Sequence, residues 1–150
     1  MAFNTEQTIN GTWGTVKING EIVAEVIGLE AKVSIEKEEV KQTGTLVKGY
    51  KTTGTEGKGT IKLNKVYSRF IALMKDNIKA GRSTICTIES LLADPDSDGV
   101  EGIVLKSCMF DELQLVNWEA RKIGDESVDF TFGEWDVTDM IDVPATGEGG

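Results

Sequence analysis

The sequence predicts a mainly antiparallel β-domain, a sandwich or barrel with one flanking α-helix. Three observations carry this expectation. Apolar and polar residues alternate along much of the chain, as in Val16-Lys17-Ile18 and Val128-Asp129-Phe130-Thr131-Phe132, and a period of two marks strands with one buried face. Glycine is abundant, 17 residues against 2 prolines, which suits a fold with many tight turns. Only Val66 to Ile78 spaces its apolar residues for a helix. The 150 residues are read as one domain, since domains run to roughly 100 to 200 residues.

From Trp13 the alternation runs through Val16 and Ile18 to Asn19-Gly20 and resumes at Glu21. Asn-Gly fits a type I′ turn, whose two central residues both need positive φ, so a β-hairpin is expected over 12–27. A third run follows Gly28, with Ala31, Val33 and Ile35 on one face and Lys32, Ser34 and Glu36 on the other. One face should be buried and the other wet or in an interface. The pattern then dissolves into Lys, Glu, Thr and Gly, leaving only Val40, Leu46, Val47 and Tyr50 to bury. Residues 37–58 are therefore expected to be a long loop, and loops of that length are functional or disordered.

A short strand, Thr60 to Asn64, should lead into a helix from Val66 to Lys79. Its stripe of Val66, Phe70, Leu73, Met74 and Ile78 is expected in the core. Lys75 and Lys79 fall in its last turns and Gly81 supplies a left-handed cap. Strands are expected over Ser83 to Leu92 and Val100 to Phe110, then around 113–118 and 128–133. From Asp136 the chain turns acidic, then small and polar, and 137–150 is expected to be a flexible tail.

Charge and composition exclude several functions. Lys and Arg number 16 against 25 Asp and Glu, a net charge of −9, where gripping nucleic acid or an anionic membrane needs a concentrated positive field. There is no histidine, hence no Ser-His-Asp or Cys-His activation and no His-ligated zinc. No apolar run approaches the ~20 residues that span a bilayer. The start lacks the basic and apolar regions of a signal peptide, so synthesis and folding in the cytosol are expected. Cys86 and Cys108 form neither a zinc spacing nor a C-x-x-C pair; half-buried thiols are favoured over a disulfide.

Two stretches invite a ligand. Asp94-Pro-Asp-Ser-Asp-Gly99 opens like a calcium loop, but Leu105 stands where a bidentate Glu is needed, so a self-capped turn between strands fits better. Gly54-Thr-Glu-Gly57-Lys-Gly59-Thr60 lacks phosphate-loop spacing and precedes a strand instead of a helix N-terminus. Trp13, Trp118 and Trp135 read as core or interface anchors, without the clustered basic residues of a base-stacking platform. No catalytic, cofactor or metal residue is assigned. What remains is a self-associating β-domain or, as the alternative, a stand-alone β-sandwich module that binds a ligand.

Gly11-Thr-Trp-Gly14, Gly57-Lys-Gly-Thr-Ile-Lys-Leu63 running into Val66-Tyr-Ser-Arg69, Asp94-Pro-Asp-Ser97, Phe110-Asp-Glu-Leu113, Trp118-Glu119, Phe130-Thr-Phe132 and Trp135-Asp136 together resemble the tail tube proteins of PBSX-like prophages and of related R-type bacteriocins. The resemblance runs from about Asn10 to Ile141. It implies a β-sandwich or barrel with a flanking helix, in hexameric rings that stack into a tube inside a contractile sheath. The implied partners are further copies of the chain, the sheath, the baseplate and the tape-measure protein; DNA is at most a transient, non-specific cargo, and the chain itself binds no membrane. The resemblance supplies no cofactor and no catalytic residue, and places the protein in the bacterial cytoplasm during assembly and then in a virion or released tail-like particle. On that view Val40, Leu46, Val47 and Tyr50 lie in a loop ordered by the neighbouring ring. Glu21, Glu25 and Glu36 are candidates to face an acidic lumen, and the helix plugs one end of its own sheet.

Overall fold

Strand β1 (Gly14–Ile18) turns through Asn19 and Gly20, at φ 52° and 84°, into the short β2 (Glu21–Ile22). The hairpin is thus the I′ type its sequence requires. The computed structural model describes residues 4–143. Beyond β2 come β3 (Val26–Val40), β4 (Gly49–Asn64), α1 (Arg69–Lys79), β5 (Cys86–Leu92), β6 (Glu101–Phe110), β7 (Asp125–Phe132) and β8 (Trp135–Asp139). Strand order is β2-β1-β5-β6-β7-β4-β3, with β8 on β6, and every pairing is antiparallel.

Strand β6 belongs to two sheets. Its first half pairs with β8, from Gly102↔Asp139 to Leu105↔Trp135, and its last two residues pair with β7. Between them Ser107 takes φ 56°, while Lys106 N–H donates to Glu134 O and Gly133 N–H to Lys106 O. That kink lets one strand leave a sheet of β2-β1-β5-β8 and enter a sheet of β7-β4-β3. The core lies between the sheets: Val16, Ile18, Ile88 and Leu105 face Ile61, Leu63, Val128 and Phe130, all buried.

Helix α1 closes one side with Phe70 and Met74, and the Phe70 ring meets Phe110 edge-on at 4.9 Å. Leu73 is half-buried against the core, but Val66 and Ile78 are exposed. The helix starts three residues later than its apolar spacing suggests, because Lys65 N–H is held by Gly124 O in the connector. Its end follows the expected left-handed cap: Gly81 has φ 71°, with Gly81 N–H on Ile78 O and Arg82 N–H on Asn77 O, the paired bonds of a Schellman motif.

Five expectations fail. Residues 37–58 are not a loop: β3 and β4 pair from Val26↔Leu63 to Val40↔Gly49, with register shifts at Val26/Gly28 and Glu36/Lys37, leaving only 41–48 as the turn. Past Gly57↔Phe132 neither strand has a third partner, so residues 34–40 and 49–56 form a bare two-stranded arm. At about 3.3 Å per residue it extends roughly 20 Å before its turn. Without a buried face it carries no apolar alternation to read. Ala31, Val33 and Ile35 are exposed, not buried, because β3 is the edge strand of its sheet and nothing covers that stretch.

The expected strand at 113–118 is irregular: no strand pairs with it, and β6 meets β7 only at Phe130 and Thr131. The expected tail contains β8, which runs to Asp139 on β6; residues 144–150 lie outside those described. Cys86 and Cys108 are cross-strand neighbours, free and fully buried, not half-buried. Burial pushes both thiols up, Cys108 to about 11, which keeps it protonated and unreactive at neutral pH.

Candidate functional site

The sheet of β3, β4 and β7 has two opposite faces. Inward point Ile61, Leu63, Val128, Phe130 and Phe132, all buried. Outward, the cross-strand rows read Gly28↔Lys62↔Ser127, Glu30↔Thr60↔Asp129 and Lys32↔Lys58↔Thr131, with no apolar residue among them. Thr60 Oγ1 donates to Asp129 at 2.6 Å, and Lys32 and Lys58 pair with Glu30 and Glu56 along their own strands. Such a face is a continuous, internally neutralised polar wall, made by strict alternation on three neighbouring strands.

The glycines that looked like a phosphate loop serve this sheet. A Cβ on Gly57 would lie 2.6 Å from the Phe132 ring, and one on Gly59 would meet Phe130 and lie 2.5 Å from Glu30 O. Phe130 and Phe132 therefore lie flat on the bare β4 backbone, a relation visible only once β4 and β7 are in register. The Asp94 loop is likewise occupied by its own chain. Its carboxylate accepts from Asn10 N–H and Asp96 N–H at 2.8 and 2.9 Å, and Ser97 Oγ donates to the carbonyls of Asp94 and Gly99. Among the described residues no group of Cys, Asp and Glu converges to hold a metal ion.

The three glutamates expected to face one channel do not share a surface. Glu25 is buried, and Arg69 at the start of α1 grips it with Nε and Nη2 at 2.9 and 3.1 Å. Glu21 is exposed at the rim of the same groove, a concavity of about 730 Å³ that Ile18, Ala72 and Leu73 help line. Glu36 lies on the arm. Glu25 is thus corrected from a channel residue to a structural one, since the chain's turn from β2 into β3 tucks it beneath the helix start.

The Arg69 hydrogen bonds, outweighing the opposing effect of burial, hold the Glu25 carboxyl below its ordinary 4.5. A depressed folded pKa stabilises the fold fully above the unfolded value and loses that contribution as pH falls through the folded one. Wild-type melting temperature should therefore drop below about pH 4.5. Glu25→Gln should melt several degrees lower near neutrality and show a shallower acid drop in thermal scans from pH 6 to pH 3; identical acid slopes would exclude the role.

The arm's expected partner-seeking residues are exposed on the single chain: Val40, Val47, Tyr50 and, wholly, Leu46 at 102%. Lys37 sits 5.9 Å from the Tyr50 ring centroid and supports the arm locally. Two further apolar surfaces surround Trp118 and Trp135, which the sequence marks as core or interface anchors. Leu115, Val116, Trp118 and Ile123 are all exposed along the irregular 111–124 segment, Trp118 at 82%. Trp135 and Val137 are exposed on β8, and Trp13 is also half-exposed, so none of the three tryptophans is a core residue. The signal available for these was the absence of a neighbouring strand to cover them.

The chain thus presents a polar sheet face, a bare arm and exposed apolar strips. Comparison with known proteins gives the class. The model of a family described as phage tail tube protein matches residues 1–139, and the chain belongs to that family. It is 34% identical over 143 residues to the phage-like element PBSX protein XkdM of Bacillus subtilis, covering 94% of this chain and 97% of that one. The fold is shared with a chain of an extracellular contractile injection system sheath-tube complex, at TM-score 0.67 and 10% identity over 93% and 100% of the two chains. A chain of the anti-feeding prophage tube-terminating cap also matches, at TM-score 0.67 and 12% identity over 92% and 94%. The role of the protein is structural, as a component of a phage-like tail tube.

Proposed function

We propose that copies of this chain form hexameric rings that stack into the inner tube of a contractile, phage-like tail, a channel for DNA or for membrane-piercing delivery. The observation that carries this is the arm. A two-stranded ribbon is at best marginally stable alone in water, so residues 34–56 need a neighbouring copy to lie against. The free edge of β3 and the uncovered Val33 and Ile35 supply the side-by-side contact within a ring.

In this arrangement the polar face of β3, β4 and β7 lines the lumen. Glu30, Glu56 and Asp129 alternate there with Lys32, Lys58 and Lys62, and Glu36 continues the face towards the arm. Cargo meets hydroxyls and paired charges, with no apolar or strongly basic patch to hold it. The outer surface engages a sheath, and the tube ends meet baseplate and tape-measure proteins. Assembly takes place in the bacterial cytoplasm, and the chain performs no catalysis.

Replacing residues 37–53 with Asn-Gly, so that Glu36 and Gly54 close a short hairpin, tests the reading. The variant should melt within a few degrees of wild type yet form no tubes by electron microscopy. Unimpaired tube growth would refute the role of the arm. A wild-type chain that stays monomeric at high concentration and melts in a ligand-dependent way would favour the stand-alone module.

A further inference from the structure

The charge of this chain is divided between two places. The end of the arm, from Val40 to its partner Gly49, holds Lys41 and Lys48 and no acidic residue, and Lys51 follows opposite Glu38, so the tip is basic although the chain as a whole is −9. The opposite holds for two other stretches. No Lys or Arg occurs from Ser83 to Leu105, nor anywhere after Lys122.

The fold brings the acidic parts of those stretches to one end of the body. Gly102 pairs with Asp139 across β6 and β8, and Ile141 lies against Gly99. Asp96, Asp98, Glu101, Asp139 and Asp142 are exposed around this junction. Lys106 is the basic residue of β6, and it is engaged by Asp136 at 2.8 Å. Along the same margin β8 pairs with β6 alone among the described residues, leaving one backbone edge open, with Trp135, Val137 and Met140 exposed beside it.

We propose that the open edge of β8, with its acidic surround, is the seat for the arm tip of a second copy of this chain. The basic tip carries its own apolar residues, Leu46, Val47 and Tyr50, so lysines meet carboxylates while apolar side chains meet Trp135 and Val137. Both parts belong to one chain and differ from each other, so the contact is head-to-tail and propagates from copy to copy. Like ends repel, which gives the stack a single polarity. This rests on the tube reading and deepens it by naming the surface that receives the arm.

The test is charge reversal on each side and then on both. Lys41→Glu/Lys48→Glu/Lys51→Glu, and separately Glu101→Lys/Asp139→Lys/Asp142→Lys, should each raise the concentration at which tubes form by about tenfold or more. The sextuple variant should return it to within about threefold of wild type. Wild-type assembly should also weaken between 0.1 and 1 M salt, as the screening length falls from about 10 to about 3 Å. Thermal melts check folding; if the body variant melts early, Asp96→Lys/Asp98→Lys/Asp142→Lys, which leaves the strands intact, replaces it. Wild-type tubes together with normal growth of either single reversal, or with no recovery in the sextuple, overturn this contact while leaving the tube reading in place. A wild-type chain that never assembles overturns both.

Discussion

Gly59→Ala is expected to abolish the native fold or to leave it only marginally populated at room temperature. The added methyl would lie 2.5 Å from Glu30 O and against the Phe130 ring. Neither neighbour can yield. Glu30 O belongs to the β3 backbone, opposite Thr60 in the longest ladder of the structure, and Phe130 is buried at the centre of the core. Overpacking a well-filled core costs about 1 to 3 kcal/mol, and displacing backbone takes Gly59→Ala to the top of that range or beyond. A domain holds only about 5 to 15 kcal/mol in total. Gly57→Ala is the internal control, because the atoms nearest its methyl all belong to the Phe132 side chain, which can turn aside where backbone cannot. Denaturant unfolding should rank wild type above Gly57→Ala and Gly57→Ala well above Gly59→Ala; equal stabilities for the two variants would exclude this account of the glycines.

Phe70→Asp should likewise lose the cooperative thermal transition. Phe70 is the helix residue most deeply placed, 2% exposed, with its ring against Phe110 and through it near Phe130 at 6.0 Å from ring to ring. Truncating such a ring to alanine costs about 3 to 5 kcal/mol, and a carboxylate there adds an unpaired charge with no hydrogen-bond partner. Phe70→Leu, which keeps apolar volume, should fold with a lowered melting temperature. If Phe70→Asp folds normally and fails only in assembly, α1 faces a neighbour and does not close its own core.

How much of this was legible in the sequence follows from where alternation has a cause. Val128, Phe130 and Phe132 alternate because β7 has the core on one side and water on the other, and the strand is found where the pattern places it. The Asn19-Gly20 turn and the Gly81 cap were readable because each demands a positive φ that few residues adopt. The arm was readable only to Glu36, where the alternation of Ala31, Val33 and Ile35 ends; beyond it a ribbon wet on both faces has no reason to alternate, and its threonines, lysines and glycines resemble a loop. At 113–118 alternation misled for the opposite reason: the pattern is present, but the segment pairs with no strand and Leu115, Val116 and Trp118 all lie exposed.

The assembly surfaces were legible in part. Val40, Leu46, Val47 and Tyr50 stood out as apolar residues without local partners, and all remain exposed. The glutamates were harder, because strand alternation gives a face but not which sheet the strand joins. Glu25 lies only four residues from Glu21, yet the chain crosses between sheets there and buries one of the two against Arg69. The polar row of Glu30, Thr60 and Asp129 depends on three strands distant in sequence, and nothing local announces it.

The strand shared between the two sheets has a mechanical consequence. Because β6 hydrogen-bonds to β8 in its first half and to β7 at its end, a pull on one sheet reaches the other through covalent backbone, not through sliding side chains. Antiparallel ladders loaded along their strands yield only when many hydrogen bonds break together. In a subunit built this way, part of any load between the two sheets is carried along the backbone of β6 itself.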